Sequence, residues 1–279
     1  MKQRILTGIV MFAVCVPILL LSGTVVLIVA AAICSVIAVH EMLSCTGQSK
    51  QFLISIPALI YAAAGPLLSR TRFATSYGVL LSITLVFLFY LLFVHVFRPD
   101  IIATNDIAVV FMTSVYITVS FTSIIRVRDV AGFGKYLFLL IFIGACETDI
   151  FAYFGGRFFG RHKLCPKVSP KKTVEGAVCG VIFCSLFFVL YFVLIAKYTD
   201  FRPNYLMVAT IGAFISLISQ LGDLAASAIK RDYGVKDYGK LFPGHGGIMD
   251  RFDSILAVAP ALFILAGNPE FISIFNQIP

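Results

Sequence analysis

Runs of about 20 mostly apolar residues recur along almost the whole of this 279-residue chain, the length an α-helix needs to cross the hydrocarbon core of a bilayer. A helix packed on a water-soluble core would break each run with a polar stripe at a period of 3.6 residues. Here the runs are apolar nearly all round. Charged residues make up only 13% of the chain, against about 25% in a soluble domain, and the mean hydropathy is +0.97. Lipid is therefore the solvent in which these segments fold.

On the length criterion the spans fall at 4–21, 24–40, 52–69, 74–97, 106–124, 136–155, 174–197, 204–231 and 250–268. The expected architecture is all-α, a polytopic integral membrane protein of about nine transmembrane helices forming one domain over residues 1–279. A tight turn near Ser22 and Gly23 joins the first two spans. Pro17, Pro57, Pro66 and Pro260 lie inside spans, which membrane helices tolerate where neighbours satisfy the freed carbonyls. Lys2 and Arg4 ahead of an apolar run resemble a signal sequence. The run continues past Leu21 into a second apolar segment, so an uncleaved first helix is expected. The seven cysteines are scattered, with no Cys-x-x-Cys pair, and read as small apolar packing residues rather than disulfides or zinc ligands.

The net charge of +8 does not point to nucleic acid in such a chain. Basic residues of membrane proteins concentrate in cytoplasmic loops, where anionic lipid headgroups and nucleotide phosphates are the natural partners. With the N-terminus inside, seven basic residues face outward: Arg70, Arg72, Arg126, Arg128, Lys135, Lys197 and Arg202. The remaining 15 of the 22 Lys and Arg face the cytoplasm, including those of the two longest polar stretches, 156–173 and 230–251. Only the group at Arg126, Arg128 and Lys135 runs against the rule.

Carboxylates are costly within a bilayer and are functional candidates by default. Asp223 lies in the apolar run from Ile215 to Ala226. With Ser227, Lys230 and Arg231 it follows the spacing i, i+4, i+7, i+8, which puts all four on one helix face. It sits about 12 Å along the axis from Arg231, just below the cytoplasmic interface. The bland alternative is an Asp223–Lys230 pair that merely neutralises a buried charge. Downstream, Lys236 and Asp237 lead into the glycine-rich segment Pro243-Gly244-His245-Gly246-Gly247, and a helix opens at about Asp250-Arg251-Phe252-Asp253. Glycines allow close backbone approach, consecutive amides can form an anion nest, and helix N-termini favour phosphate. Ordinary turn and capping roles are the alternatives for these glycines and acids. Asp223, Asp250 and Asp253, if they converge, offer hard oxygen ligands of the kind that suit Mg²⁺. His245 reads as a hydrogen-bond donor to phosphate, since it stands among the glycines of this segment.

The other cytoplasmic stretch, Gly160 to Thr173, is dense in basic residues: Arg161, His162, Lys163, Lys167, Lys171 and Lys172. A basic loop can be only a topology signal or a headgroup patch. Pro166 and Pro170 stiffen it, which favours a shaped phosphate site involving Lys167, Ser169, Lys171 and Lys172. Asp149, at the end of the preceding apolar helix, is a further ligand or a counter-ion for this loop.

Two of these stretches resemble a known family. Ser227-Ala-Ile-Lys230-Arg231, Lys236-Asp237-Tyr-Gly239 and Pro243-Gly-His245-Gly246-Gly247-Ile-Met-Asp250-Arg251-Phe-Asp253 are similar to the signature of the CDP-diacylglycerol synthases, or phosphatidate cytidylyltransferases. The stretch from Asp149 through Pro166-Lys167-Val168-Ser169-Pro170-Lys171-Lys172-Thr173 to Glu175-Gly176 resembles the same family, so the likeness concentrates in 145–254. Ile150 and Val174 depart from it, standing where Ser or Thr and where Trp are usual. The resemblance implies that CTP and phosphatidate give CDP-diacylglycerol and pyrophosphate. It also implies Mg²⁺ on Asp223 and Asp250 with Asp253 close by, and a homodimer among the lipids of a bacterial-type inner membrane. Lys230, Arg231 and Arg251 would then bind phosphates. Two other readings fit less well. A CTP-dependent lipid kinase would release CDP instead. An ion-coupled transporter would place its charges at the bilayer midplane between inverted repeats, which this chain lacks.

Overall fold

A computed structural model describes residues 2–71, 78–268, 271, 273 and 274. Arg72 of the outward set and the start of the fourth expected span, 74–77, lie outside the described residues. Among the described residues there are nine α-helices: α1 (Lys2–Leu20), α2 (Val25–Cys45), α3 (Phe52–Leu68), α4 (Gly78–Phe97), α5 (Thr104–Arg128), α6 (Gly134–Phe159), α7 (Val174–Tyr198), α8 (Tyr205–Asp232) and α9 (Met249–Ala266). Six of them, α2, α4, α5, α6, α7 and α8, are long and apolar enough to cross a membrane. The all-α membrane architecture therefore holds, with one addition. The basic stretch expected as a stiff loop is a two-stranded antiparallel hairpin, β1 (Lys163–Cys165) and β2 (Ser169–Thr173), with Lys163 opposite Thr173 and Cys165 opposite Ser169.

The chain forms two compact units, one of residues 1–126 with 232–252, the other of 127–231 with 253–279. In the first, α2 packs on α1 and α3, and α3 on α4. Tyr61 of α3 stacks on Phe87 of α4 at 4.8 Å, and its hydroxyl meets Thr84 Oγ1 at 2.8 Å. Gly65 lets α3 come so close to α5 that a Cβ there would collide with Thr118. The turn before α2 is closed by Thr24, whose hydroxyl accepts from Val26 N, and Arg70 Nη2 donates to Ser22 O at 3.1 Å. Residues 22–24 and Arg70 thus share one end of α2.

In the second unit α6 and α7 pack most closely. Membrane helices associate through small residues, since lipid gives apolar side chains no reason to hide from it. On α7, Gly176, Gly180, Cys184, Phe188 and Phe192 recur every four residues and are buried. Val178, Ile182, Leu186, Leu190 and Leu194 recur at the same interval, two residues out of phase, and are exposed. The inward face is thus small near the hairpin and aromatic further along, while the outward face is aliphatic. Gly176 brings α7 onto Ala152 O at 2.5 Å from where a Cβ would lie, and Gly144 does the same for α6 against Ile215 of α8. Polar contacts fasten the three helices from within. Thr148 Oγ1 donates to Ser216 Oγ at 2.9 Å, and Gln220 Nε2 to Ala177 O at 3.2 Å. Gly134 tightens the α5–α6 connection against Arg128 O, leaving Arg126 and Arg128 in α5 and Lys135 in α6 rather than in a long loop.

Candidate active site

The second unit carries a cavity of about 280 Å³, lined by Asp149, Tyr153, Arg157, Lys171, Lys172, Thr173, Gln220 and Asp223, among others. Helix ends and the hairpin build it. Thr173 is the N-cap of α7, its hydroxyl accepting from Gly176 N. Glu175, in the first turn of α7, accepts from Arg161 N and His162 N and meets His162 Nδ1 at 2.6 Å. These contacts fix the base of the hairpin so that β2 presents Lys171 and Lys172 to the cavity. Arg231 Nε, at the end of α8, donates to Val168 O at 3.3 Å and ties the hairpin tip to that helix.

Lys172 Nζ forms an ion pair with Asp223 Oδ2. The pairing considered from helical spacing was Asp223 with Lys230, but the salt bridge comes from β2, across elements. Ser227 Oγ lies 3.4 Å from Asp223 Oδ1, so the expected helix face is real. Lys230 is buried, and it and the carboxylates of Asp149 and Asp223 lie within electrostatic reach of Asp253. Ser254 Oγ donates to Asp149 Oδ2 at 3.1 Å. Lys167 is exposed and Ser169 half-buried on the hairpin.

This donor set of carboxylate and hydroxyl oxygens has the chemistry Mg²⁺ prefers. Among the described residues no three His, Cys, Asp or Glu side chains gather closely enough to hold an ion alone. Mg²⁺ commonly binds through one or two carboxylates plus substrate phosphates and water, and the residues fit that mode rather than a protein-only cage.

The first unit holds the other candidates. Lys236, Asp237 and Arg251 are exposed. Asp250 is buried, and its Oδ2 accepts from Tyr238 N at 2.8 Å and Gly247 N at 3.0 Å. Gly244 and Gly246 adopt φ of +79° and +87°, and Phe242 bridges Gly246 in a tight turn. His245 Nδ1 is buried without a hydrogen-bond partner among the described residues. The sequence suggested an open anion nest here. Instead the protein fills it: the Glu41 carboxylate from α2 accepts from Ile248 N at 3.1 Å and Met249 N at 2.9 Å. The amides of 247, 248 and 249 are therefore occupied by internal carboxylates.

Glu41, Gln220, Arg157 and Ser254 were not singled out by the sequence. For Gln220 the signal existed, since it is a polar residue within an apolar run; Glu41 falls one residue beyond the expected second span.

Long apolar helices, and a cavity where a hairpin sets lysines beside a helix carboxylate, are features of a membrane enzyme. A family model described as the cytidylyltransferase family matches residues 2–267, and the chain belongs to that family. It is 35% identical over 268 residues to the phosphatidate cytidylyltransferase of Staphylococcus haemolyticus (strain JCSC1435), covering 95% of this chain and 98% of the relative. It is 36% identical over 267 residues to that of Staphylococcus aureus (strain COL), with the same coverage.

Proposed function

We propose that this chain transfers the cytidylyl group of CTP to phosphatidate, giving CDP-diacylglycerol and pyrophosphate. The observation that carries the reading is the Lys172–Asp223 pair at the wall of a cavity also lined by Lys171 and Arg157, in a chain of the cytidylyltransferase family. A phosphate oxygen of phosphatidate attacks the α-phosphorus of CTP. The bond from that phosphorus to the bridging oxygen breaks, and pyrophosphate leaves with the electron pair. Such a transfer needs positioning and charge stabilisation more than covalent help from the protein.

The residues take these roles in the proposed reaction. Lys171, Lys172 and Arg157 line the cavity and hold the phosphates of CTP, with Lys167 and Ser169 at the hairpin edge. Lys230, Arg231 and Arg251 supply further phosphate contacts, Arg in bidentate fashion. Asp223 and Asp253, with Asp149, are the candidate Mg²⁺ ligands in the second unit, one or two of them with substrate phosphates completing the shell; Asp250, also expected as a ligand, accepts from Tyr238 N and Gly247 N in the first unit. The ion, when bound, would neutralise charge on phosphate oxygens. His245, Gly246, Gly247, Ser227, Lys236 and Asp237 shape the substrate contacts. The site faces the cytoplasm of a plasma membrane, where CTP is available, and the enzyme works as a homodimer.

The test is purified protein in detergent with phosphatidate, labelled CTP and Mg²⁺. Phosphatidate-dependent pyrophosphate and labelled lipid are expected; release of CDP instead would mark a lipid kinase.

A further inference from the structure

We infer that Glu41 is a positioning residue of the reaction: a fixed internal anion that locks the glycine segment and the first turn of α9 into the form the transfer requires. Its placement is built. The residue is 7% exposed although it lies in an apolar helix long enough to cross a membrane. Its two oxygens divide two amides between them, one to Ile248 and one to Met249. Around it the chain has removed side chains, for a Cβ at either Gly239 or Gly247 would collide with the Glu41 carboxyl. Neither glycine has a positive φ, so space and not backbone conformation accounts for the residue type. The carboxylate sits where a helix N-terminus attracts an anion. That same turn carries Asp250 and Arg251.

A carboxylate held by two amides inside a cradle of glycines orders the segment before substrate arrives. A shift of about 1 Å in a positioned group can cost about 10²-fold in rate. Gln at position 41 keeps one acceptor but turns an amide nitrogen toward the other N–H. Ala keeps none.

The inference rests on the cytidylyl-transfer reading, and the experiment separates the two. Wild type, Glu41→Gln, Glu41→Ala, Gly239→Ala and Glu41→Ala with Gly239→Ala are purified, and pyrophosphate release is measured per folded molecule. The expected result is a graded fall in kcat, at least ~10-fold for Glu41→Ala and smaller for Glu41→Gln, with KM for CTP changed less than ~3-fold. Gly239→Ala should lower kcat in the wild type yet add little to Glu41→Ala, because the carboxyl it strikes is gone. Unchanged kcat per folded molecule with a lower yield or Tm would make Glu41 merely structural and overturn the inference. Multiplicative effects of the two changes would do the same. Tighter CTP binding in Glu41→Gln would mark the carboxylate as an occupant that substrate phosphate displaces, and would also overturn it. If the Glu41 variants do not accumulate, Gly239→Ala alone must show the kcat loss. A wild-type protein with no pyrophosphate release would fail the reaction reading instead. Hydrogen exchange of the 239–252 segment, which Glu41→Ala should accelerate at least ~10-fold, still reads the clamp itself.

Discussion

Replacing Asp223 by Asn tests whether this carboxylate does more than balance Lys172. The two side chains are 22% and 25% exposed, so the pair lies between a surface bridge and a buried one. Two unit charges about 4 Å apart attract by about 4 kcal/mol at an effective dielectric of about 20. Lost hydration offsets most of that, leaving ~1–2 kcal/mol at stake. Asp223→Asn should therefore lower Tm by only a few degrees, while turnover should fall at least ~10²-fold, the scale for losing one electrostatic stabiliser. Because Lys172 itself lines the cavity, the decisive comparison is between Lys172→Met and the double change Asp223→Asn with Lys172→Met. The double variant should regain the stability lost by Asp223→Asn, since no unpaired charge remains. If Asp223 serves the reaction, it should still be ~10²-fold slower than Lys172→Met alone. Equal turnover of those two, in steady-state pyrophosphate release at saturating Mg²⁺, would reduce Asp223 to a counter-ion.

Other outcomes follow from the same geometry. Lys171→Ala should raise the KM for CTP or lower turnover in normally inserted protein, and unchanged kinetics would return the hairpin to a topology signal. Lys240→Cys, in a background with the seven native cysteines replaced, should be labelled only from the cytoplasmic side; labelling of intact cells by an impermeant reagent would reverse the orientation. Gly176→Val should abolish accumulation of folded protein, because its side chain would meet Ala152 O and Gly156 across the tightest helix contact, whereas Gly8→Val, with open space around it, should be neutral in the same yield assay.

The helices were legible because membrane spans obey a simple length and polarity rule, and the observed ends differ from expectation by a few residues. The hairpin was not. Lys163–Cys165 and Ser169–Thr173 lack the alternation that marks a strand, and two prolines argued for a loop. What anchors the chain just before β1 is Glu175, which accepts from Arg161 N and His162 N and is reached only once α7 is in place. Helical periodicity put Asp223 and Ser227 on one face correctly, yet it can see only partners on the same helix, so it offered Lys230 where Lys172 forms the salt bridge. The glycine segment looked like an open phosphate cradle because its occupant, Glu41, is distant in sequence. The rule that singled out Asp223, a carboxylate inside an apolar run, stopped one residue short of Glu41, because the expected span ended at 40 while α2 continues to Cys45.

That distance has a consequence for biosynthesis. Glu41 and its amide partner at Ile248 are 207 residues apart. At about 5–20 residues per second, the ribosome needs roughly 10 to 40 s to deliver the second after the first. Through that interval α2 stands in the bilayer with its carboxyl four residues, about 6 Å, from the helix end. The acid is close enough to the surface to stay hydrated while it waits. Docking of the 239–249 segment then covers the carboxyl, so a loop made late in synthesis completes a helix made early.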